Sequence, residues 1–472
     1  MRNFKLSSYV IDIPLEESEN KHMLIHGYSG AIDVINSDIV AFLKNNKENL
    51  SIETFPYSES TWDSLIKRSY ITEKTRSEEI DFVKKFADLM HRQSQLLKSF
   101  GFLVSYDCNF RCPYCYEAQI SDFGNHWEKK KFTKELVDKV FSMFEKIESN
   151  RSLHNNSLLL YGGEPLLKEN KEVVSYIVKK GCDLGYSFST ITNGYDLEEY
   201  KDLLAPDKIG RIQITIDGWK DTHNVRRVHM AGFETFDKIV QNAKMALEQG
   251  IYVSIRMNTD YSNFDGIEKL KSHFEKLGLY EHKKFHFYTA LMVDYLQEHK
   301  NEEAENLGYM SRKEFSNKNA NLDCQSDFED WGISNRLFKA MKNKEFLSFS
   351  SIYCSAQSGS YIFDPEQRIY SCWESLGRKD TIVGDYSGDD IIWTPFLKKI
   401  QGRNISKQEQ CYKCKYSFLC RGGCASISLK KKGDMNFSFC NDYPYVFKIA
   451  ANRAYKRYRG MDSCNNNLQK VL

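Results

Sequence analysis

Between residue 100 and about residue 290 the chain repeats one alternation six times, a short β-rich run followed by an amphipathic stretch of helical period. Strands are expected at 100–106, 157–161, 186–192, 211–216, 251–257 and 284–290, and helices around 134–147, 172–182, 197–204, 236–249 and 267–277. Strands that alternate with helices join side by side through right-handed crossovers, which builds a parallel sheet with helices over one face. Chemistry in such sheets collects beyond the C-terminal ends of the strands. The unusual turns of this chain fall at those ends. A cysteine loop follows the first strand, Gly162-Gly163-Glu164-Pro165 the second, Asn193-Gly194 the third and Asp217-Gly218 the fourth.

The loop reads Cys108-Asn109-Phe110-Arg111-Cys112-Pro113-Tyr114-Cys115-Tyr116, three thiols at C-x3-C-x2-C spacing. Three thiolates are one fewer than a four-iron cluster binds, so one iron stays open to another ligand. A zinc knuckle needs a fourth Cys or His close by, and the nearest downstream candidate, His126, follows a loop-like stretch. Three buried free thiols are the plain alternative. A second constellation lies C-terminally: Cys354 and Cys372, then Cys411-x2-Cys414-x5-Cys420-x3-Cys424, then Cys440. Two close pairs there suit a four-thiolate zinc site, but zinc leaves three flanking thiols unexplained. The chain has 13 cysteines, an odd number that a pure disulfide framework does not explain. Only Cys182, Cys324 and Cys464 stand outside the two groups.

Composition excludes rather than selects. Across 472 residues, 66 basic and 64 acidic side chains nearly cancel, so no global charge argues for nucleic acid or an anionic membrane. The basic runs Lys430-Lys431-Lys432 and Arg453 to Arg459 read as solvated helix faces. No segment approaches the roughly 18 apolar residues of a membrane span, and the N-terminus carries no apolar signal region. A cytoplasmic chain is expected.

Residues 1–75 hold no cysteine and read as a separate small domain. Strands at 9–13, 22–26 and 31–35 are followed by a helix capped by Ser37 or Asp38, and by a second helix around 61–68. Residues 76–99 read as a helical connector, with Ile80, Val83, Phe86 and Met90 on one stripe. Residues 296–350 are polar and poorly periodic, and suggest only a bridge or a cover for the sheet.

Taken in order, these motifs resemble the radical S-adenosylmethionine (SAM) enzymes, and the C-terminal cysteines resemble their SPASM domain. The resemblance implies a partial (β/α)6 barrel over residues 100–295, preceded by a winged-helix-like peptide-recognition domain at 1–75. A SPASM auxiliary-cluster domain at 351–445 and a C-terminal helix and tail at 446–472 would follow. It implies three [4Fe–4S] clusters. Cys108, Cys112 and Cys115 would hold the SAM-binding one, Cys411, Cys414, Cys420 and Cys440 an outer auxiliary cluster, and Cys354, Cys372 and Cys424 an inner one. It places Tyr114 by the adenine, Gly162, Gly163 and Glu164 at the amino group of SAM, Asn193 and Thr215 toward its ribose or methionine part, and Arg256 at its carboxylate. Arginine suits that role because its planar fork matches a carboxylate. Asp217 is expected to be structural, and no residue is singled out as catalytic.

The chain departs from the pattern at two points. Gln367 stands where a glycine is usual, and the run after Cys354 holds no further cysteine, which leaves the inner set one ligand short unless a distant residue such as Cys324 supplies it. Trp373, followed by Glu374, occupies the position of the aspartate base of sulfatase-maturing relatives. The expected activity is hydrogen abstraction from a ribosomally made peptide, forming a cysteine thioether through a substrate thiolate on the open iron. A flavodoxin or ferredoxin would supply electrons. Cross-linking without sulfur and formylglycine formation are the enzymatic rivals, and a zinc-bearing peptide-binding protein the other.

Overall fold

The computed structural model describes residues 3–115, 130–292, 309–320 and 332–468. Tyr116, His126 and Cys324 lie outside them. At the N-terminus β1 (Lys5–Leu6) pairs with a later strand, and β2 (Val10–Pro14), β3 (Lys21–His26) and β4 (Ile32–Asn36) form an antiparallel sheet in the order β2-β3-β4. The helices Ser37–Asn45 and Glu59–Lys67 follow, then β5 (Ile71–Thr72), the partner of β1. The expected cap at Ser37 or Asp38 is not found. Asn36 precedes the first helical turn and makes no side-chain cap bond, because the chain enters the helix directly from β4.

The N-terminal sheet does not keep a core to itself. Ile11, Ile13, Met23 and Ile25 pack in one cluster with Leu337 and Phe447, from the helices Ile333–Asn343 and Tyr443–Leu468. The helix Arg76–Ser94 opens on a capping box between Thr75 and Glu78. It buries Glu79, Val83, Ala87 and His91, whereas Ile80, Phe86 and Met90 of the expected stripe are only half-buried. Glu79 explains the difference. Its carboxylate accepts from Ser7 Oγ and from the Ser8 N–H, so a polar tie to the N-terminal sheet sets how the helix is rotated.

Six parallel strands follow: β6 (Ser99–Ser105), β7 (Ser157–Gly162), β8 (Ser187–Thr192), β9 (Ile209–Thr215), β10 (Tyr252–Thr259) and β11 (Phe285–Leu291). The alternation of β10 shows why they sit as they do. Val253, Ile255, Met257 and Thr259 are buried, while Ser254, Arg256 and Asn258 point to the opposite, polar face. The apolar face packs under helices such as Lys134–Ile147, which contributes Val137, Val140, Phe141 and Phe144 to the main core. The segment expected as a helix at 197–204 is a 3-10 helix, Leu197–Leu203, which brings Leu197, Tyr200 and Leu203 into that core.

The cysteine-rich region continues this sheet. β12 (Ser360–Phe363) adds in parallel to β6, pairing Ser360 with Ser99 and Phe363 with Phe102. β13 (Arg368–Tyr370), β14 (Gly384–Asp385) and β15 (Ile392–Trp393) extend it antiparallel, making ten strands in the order β11-β10-β9-β8-β7-β6-β12-β13-β14-β15. No described helix is long and apolar enough to cross a membrane.

Burial of His26 gives the N-terminal sheet an acid limit. The ring is fully buried, with Nε2 at 2.9 Å from Ser7 Oγ and Nδ1 accepting from the Ser29 N–H, and desolvation holds its pKa near 3. Its folded pKa lies below the unfolded value of about 6.5, so the unfolded chain takes up the proton first. The stability is present above pH 6.5 and is lost as pH falls toward 3, by about 2 kcal/mol at pH 5. Hydrogen exchange in β2–β4, corrected for intrinsic rate, is expected to show weaker protection at pH 5 than at pH 7, and a flatter pH dependence in His26→Asn.

Candidate functional site

The three-cysteine loop leaves the C-terminal end of β6 and is clamped from beneath by the turn after β7. Gly163 N donates to Ser105 O at 2.9 Å and Glu164 N to Asp107 O at 2.8 Å. A Cβ on Gly163 would meet Asp107 O at 2.5 Å and Tyr106 O at 2.6 Å. Gly162 has φ +147°, and a Cβ there would meet Ser105 O at 2.2 Å. Both glycines are needed for the close approach of two backbones.

Glu164 fastens the same turn to β8. Its carboxylate is buried and accepts from Thr192 Oγ1 at 2.6 Å, from the Asn193 N–H at 2.6 Å and from the Leu166 N–H at 2.8 Å. Burial raises its pKa to about 7, against the pull of those donors. The Asn193 side chain turns toward the cysteine loop, donating to Asn109 Oδ1 at 2.7 Å.

A second polar network backs the loop from β9 and β10. Tyr114 donates its hydroxyl to buried Asp217, which also accepts from the Asn258 N–H at 3.0 Å. Arg227 donates toward Cys112 Sγ and the Tyr114 hydroxyl, each at 3.4 Å, and Arg226 pairs with Asp260 at 2.7 Å. His223 supplies the support, its Nδ1 accepting from the Asp217 N–H and burial holding it neutral. Asp217 is thus a structural residue that also positions Tyr114. Thr215 and Arg256 are register partners across β9 and β10, and Arg256 Nε donates to Asn258 Oδ1 at 2.8 Å. The arginine beside Cys112 was not singled out from the sequence. The Arg226-Arg227 pair, spaced after His223, was the available signal.

Burial pushes the Cys108 and Cys112 thiols above their ordinary range, Glu164 adding to the shift at Cys108 and Arg227 opposing it at Cys112. Thiols so placed ionise only with strong positive charge beside them, which iron supplies. The C-terminal thiols sort into two groups by mutual repulsion. Burial raises Cys372 first, then the charges of Cys354 and Cys424. Burial likewise raises Cys420, then Cys440, Cys411 and Cys414. Gln367 stands in the left-handed region at φ +63° in the turn between β12 and β13, the conformation a glycine would have given that position.

Cys354, Cys372 and Cys424 border a cavity of about 270 Å³ together with Arg312, Trp373 and Glu374. Trp373 reaches back to the parallel sheet, its ring 4.6 Å from that of Tyr161 on β7. Gly101 on β6 makes the room, since a Cβ there would meet the indole at 3.0 Å. No local pattern marks that pairing, because the two residues are 272 positions apart and meet only through the pairing of β6 with β12.

Residues 102–272 match the model of the Radical SAM superfamily. That stretch is a radical SAM domain. Such a domain takes SAM and a [4Fe–4S] cluster, and the buried thiols backed by Arg227 are suited to hold the latter. The chain is 24% identical over 367 residues to a cysteine-type anaerobic sulfatase-maturating enzyme of Clostridium perfringens (strain 13 / Type A), covering 74% of this chain and 94% of that one. It is 21% identical over 504 residues to the radical SAM cyclopropyl synthase TigE of Paramaledivibacter caminithermalis, covering 97% and 98%. In fold it resembles native anSMEcpe with bound AdoMet, at a TM-score of 0.57 and 20% identity, covering 77% of this chain and 99% of that one.

Because Gly163 touches the backbone that presents Cys108, Gly163→Ala is expected to push the loop off its thiol geometry. Anaerobically reconstituted Gly163→Ala should carry about four fewer irons per chain than the unsubstituted enzyme, measured by iron analysis. Unchanged iron would show that the turn does not set the loop.

Proposed function

We propose that this radical SAM enzyme modifies a ribosomally made peptide, joining a substrate cysteine sulfur to a carbon of another residue. Bound SAM and its cluster would supply a 5′-deoxyadenosyl radical, and two auxiliary clusters an acceptor for the remaining electron. In this reading Cys108, Cys112 and Cys115 hold the SAM cluster, Cys354, Cys372 and Cys424 the inner auxiliary cluster, and Cys411, Cys414, Cys420 and Cys440 the outer one. Tyr114, Gly162, Gly163, Glu164, Asn193, Thr215 and Arg256 surround SAM. Forming the bond removes two hydrogens from the peptide, one as an atom and one as a proton with its electron. A flavodoxin or ferredoxin is the expected reductant.

The observation that carries this reading is the cavity bordered by the inner thiols and Trp373, with Trp373 packed on Tyr161 and the apolar cluster of Leu103 and Ile362 on the parallel strands. A peptide side chain entering that cavity would meet the inner thiol set. Trp373 offers no carboxylate where sulfatase-maturing relatives place theirs, which weighs against formylglycine formation. A second reading, a carbon–carbon bond made without sulfur, is favoured by one relative named a cyclopropyl synthase, whose alignment spans nearly the whole chain, N-terminal sheet included.

Anaerobic enzyme is expected to carry about twelve irons per chain, to release 5′-deoxyadenosine from SAM, and to lose that release in Cys112→Ala. Mass spectrometry of the product should show two hydrogens lost and a cysteine no longer open to alkylation. The same mass loss with a freely alkylated cysteine supports the carbon–carbon reading, and an aldehyde product supports formylglycine.

The peptide's leader is proposed to add as a strand to the open edge of β4, whose Asp33, Val34 and Ile35 are half-buried. Removing the N-terminal sheet would strip the core it shares with Leu337 and Phe447, so a point change is the cleaner probe. Val34→Pro is expected to weaken leader binding at least tenfold by titration while sparing uncoupled SAM cleavage. Unchanged binding rules out this edge.

A further inference from the structure

Three cysteines serve the inner set, and a four-iron cluster has four irons to ligate. The cavity they border also holds a carboxylate. Glu374 lies two residues after Cys372, in the 3-10 turn Trp373–Ser375, and its backbone N–H donates to the Cys372 thiol. Its side chain borders the same cavity as Cys354, Cys372 and Cys424. One carboxylate oxygen, Oε2, is buried and has no hydrogen-bond partner. Buried carboxylate oxygens are seldom left without a donor or a cation, because the desolvation they suffer is large.

The side chain also sits within electrostatic reach of Cys372 and Cys424 on one side and of Lys430 and Arg256 on the other. Burial raises its pKa, and the charges of Lys430 and Arg256 oppose that rise.

Other candidates bordering the cavity are weaker. Ser371 Oγ is also buried and unpartnered, but a hydroxyl must give up its proton to bind iron as an anion, whereas a carboxylate is already an acceptor. Cys420 and Cys440 border the cavity too, yet they neighbour Cys411 and Cys414, with which they make a set of four.

We propose that the Glu374 carboxylate is the fourth ligand of the inner auxiliary cluster, an oxygen donor delivered by the same turn that carries Cys372. The proposal rests on the auxiliary-cluster reading above. It changes the meaning of the missing cysteine: the fourth iron is closed by an oxygen ligand rather than left open. Carboxylate is a harder donor than thiolate, so the site iron is expected to differ from its three neighbours spectroscopically.

The test uses the full chain with Cys108→Ala, Cys112→Ala and Cys115→Ala, so that only auxiliary clusters remain. This protein is expected to carry about eight irons per chain. Its reduced electron paramagnetic resonance spectrum is expected to be unaffected by cyanide. Adding Glu374→Ala should change the spectrum of one cluster and let isotope-labelled cyanide bind, seen as a hyperfine coupling, or should cost about four irons. Adding Glu374→Cys in its place should restore both iron and resistance to cyanide. Identical spectra and cyanide response with and without Glu374, cyanide binding while Glu374 is present, or an iron loss that Glu374→Cys does not restore would each overturn the proposal. If the three-alanine protein holds no iron at all, it is the auxiliary-cluster reading that fails.

Discussion

The parallel pairing of β12 with β6, four residues against four from Ser360–Ser99 to Phe363–Phe102, is the contact on which the rest of the site depends. It joins the cysteine-rich region to the strand whose end carries the three-cysteine loop. Two groups of cysteines separated by more than two hundred residues therefore share one sheet. Backbone hydrogen bonds fix this register, and since all four β12 residues are buried, a one-residue slip would exchange the side on which Tyr361 and Phe363 pack with that of Ile362. Trp373 and Gly101 are a product of that register: the indole reaches β7 only because β6 has no side chain at the crossing point.

Around the loop itself, the structure uses buried acids as anchors. Glu164 holds the turn after β7 to the end of β8 through three donors, and Asp217 holds Tyr114 to β10. Both lie without exposure to water, where a hydrogen bond to a charged group is worth roughly twice a neutral one. Arg227 adds the positive charge on the Cys112 side. A loop that must present three thiols in one geometry is thus fastened on both flanks by polar ties rather than by packing alone.

The strands and the motifs were legible because each depends on local sequence. The six strands fall within about two residues of their expected places, since alternation of apolar and polar residues marks a strand whatever surrounds it. The helix expected at 197–204 takes the 3-10 form, which apolar spacing over so short a run does not separate from the α form. The stripe on Arg76–Ser94 was misjudged because an acid, Glu79, takes a buried place that only Ser7 and Ser8 make tolerable. The N-terminal unit looked self-contained because nothing in its own residues names Leu337 and Phe447 as neighbours.

The sequence by itself determined the chemistry available: three thiols in a loop after a strand, a Gly-Gly-Glu turn, seven further thiols and a parallel sheet to carry them. Those follow from residue type and spacing, which act over a few positions. Only the tertiary structure decided which groups meet. It set Arg227 against Cys112, Trp373 over Gly101, and the free oxygen of Glu374 beside the inner thiols. Such meetings depend on the register of one strand pair and the path of the chain between distant elements, and no local pattern encodes either.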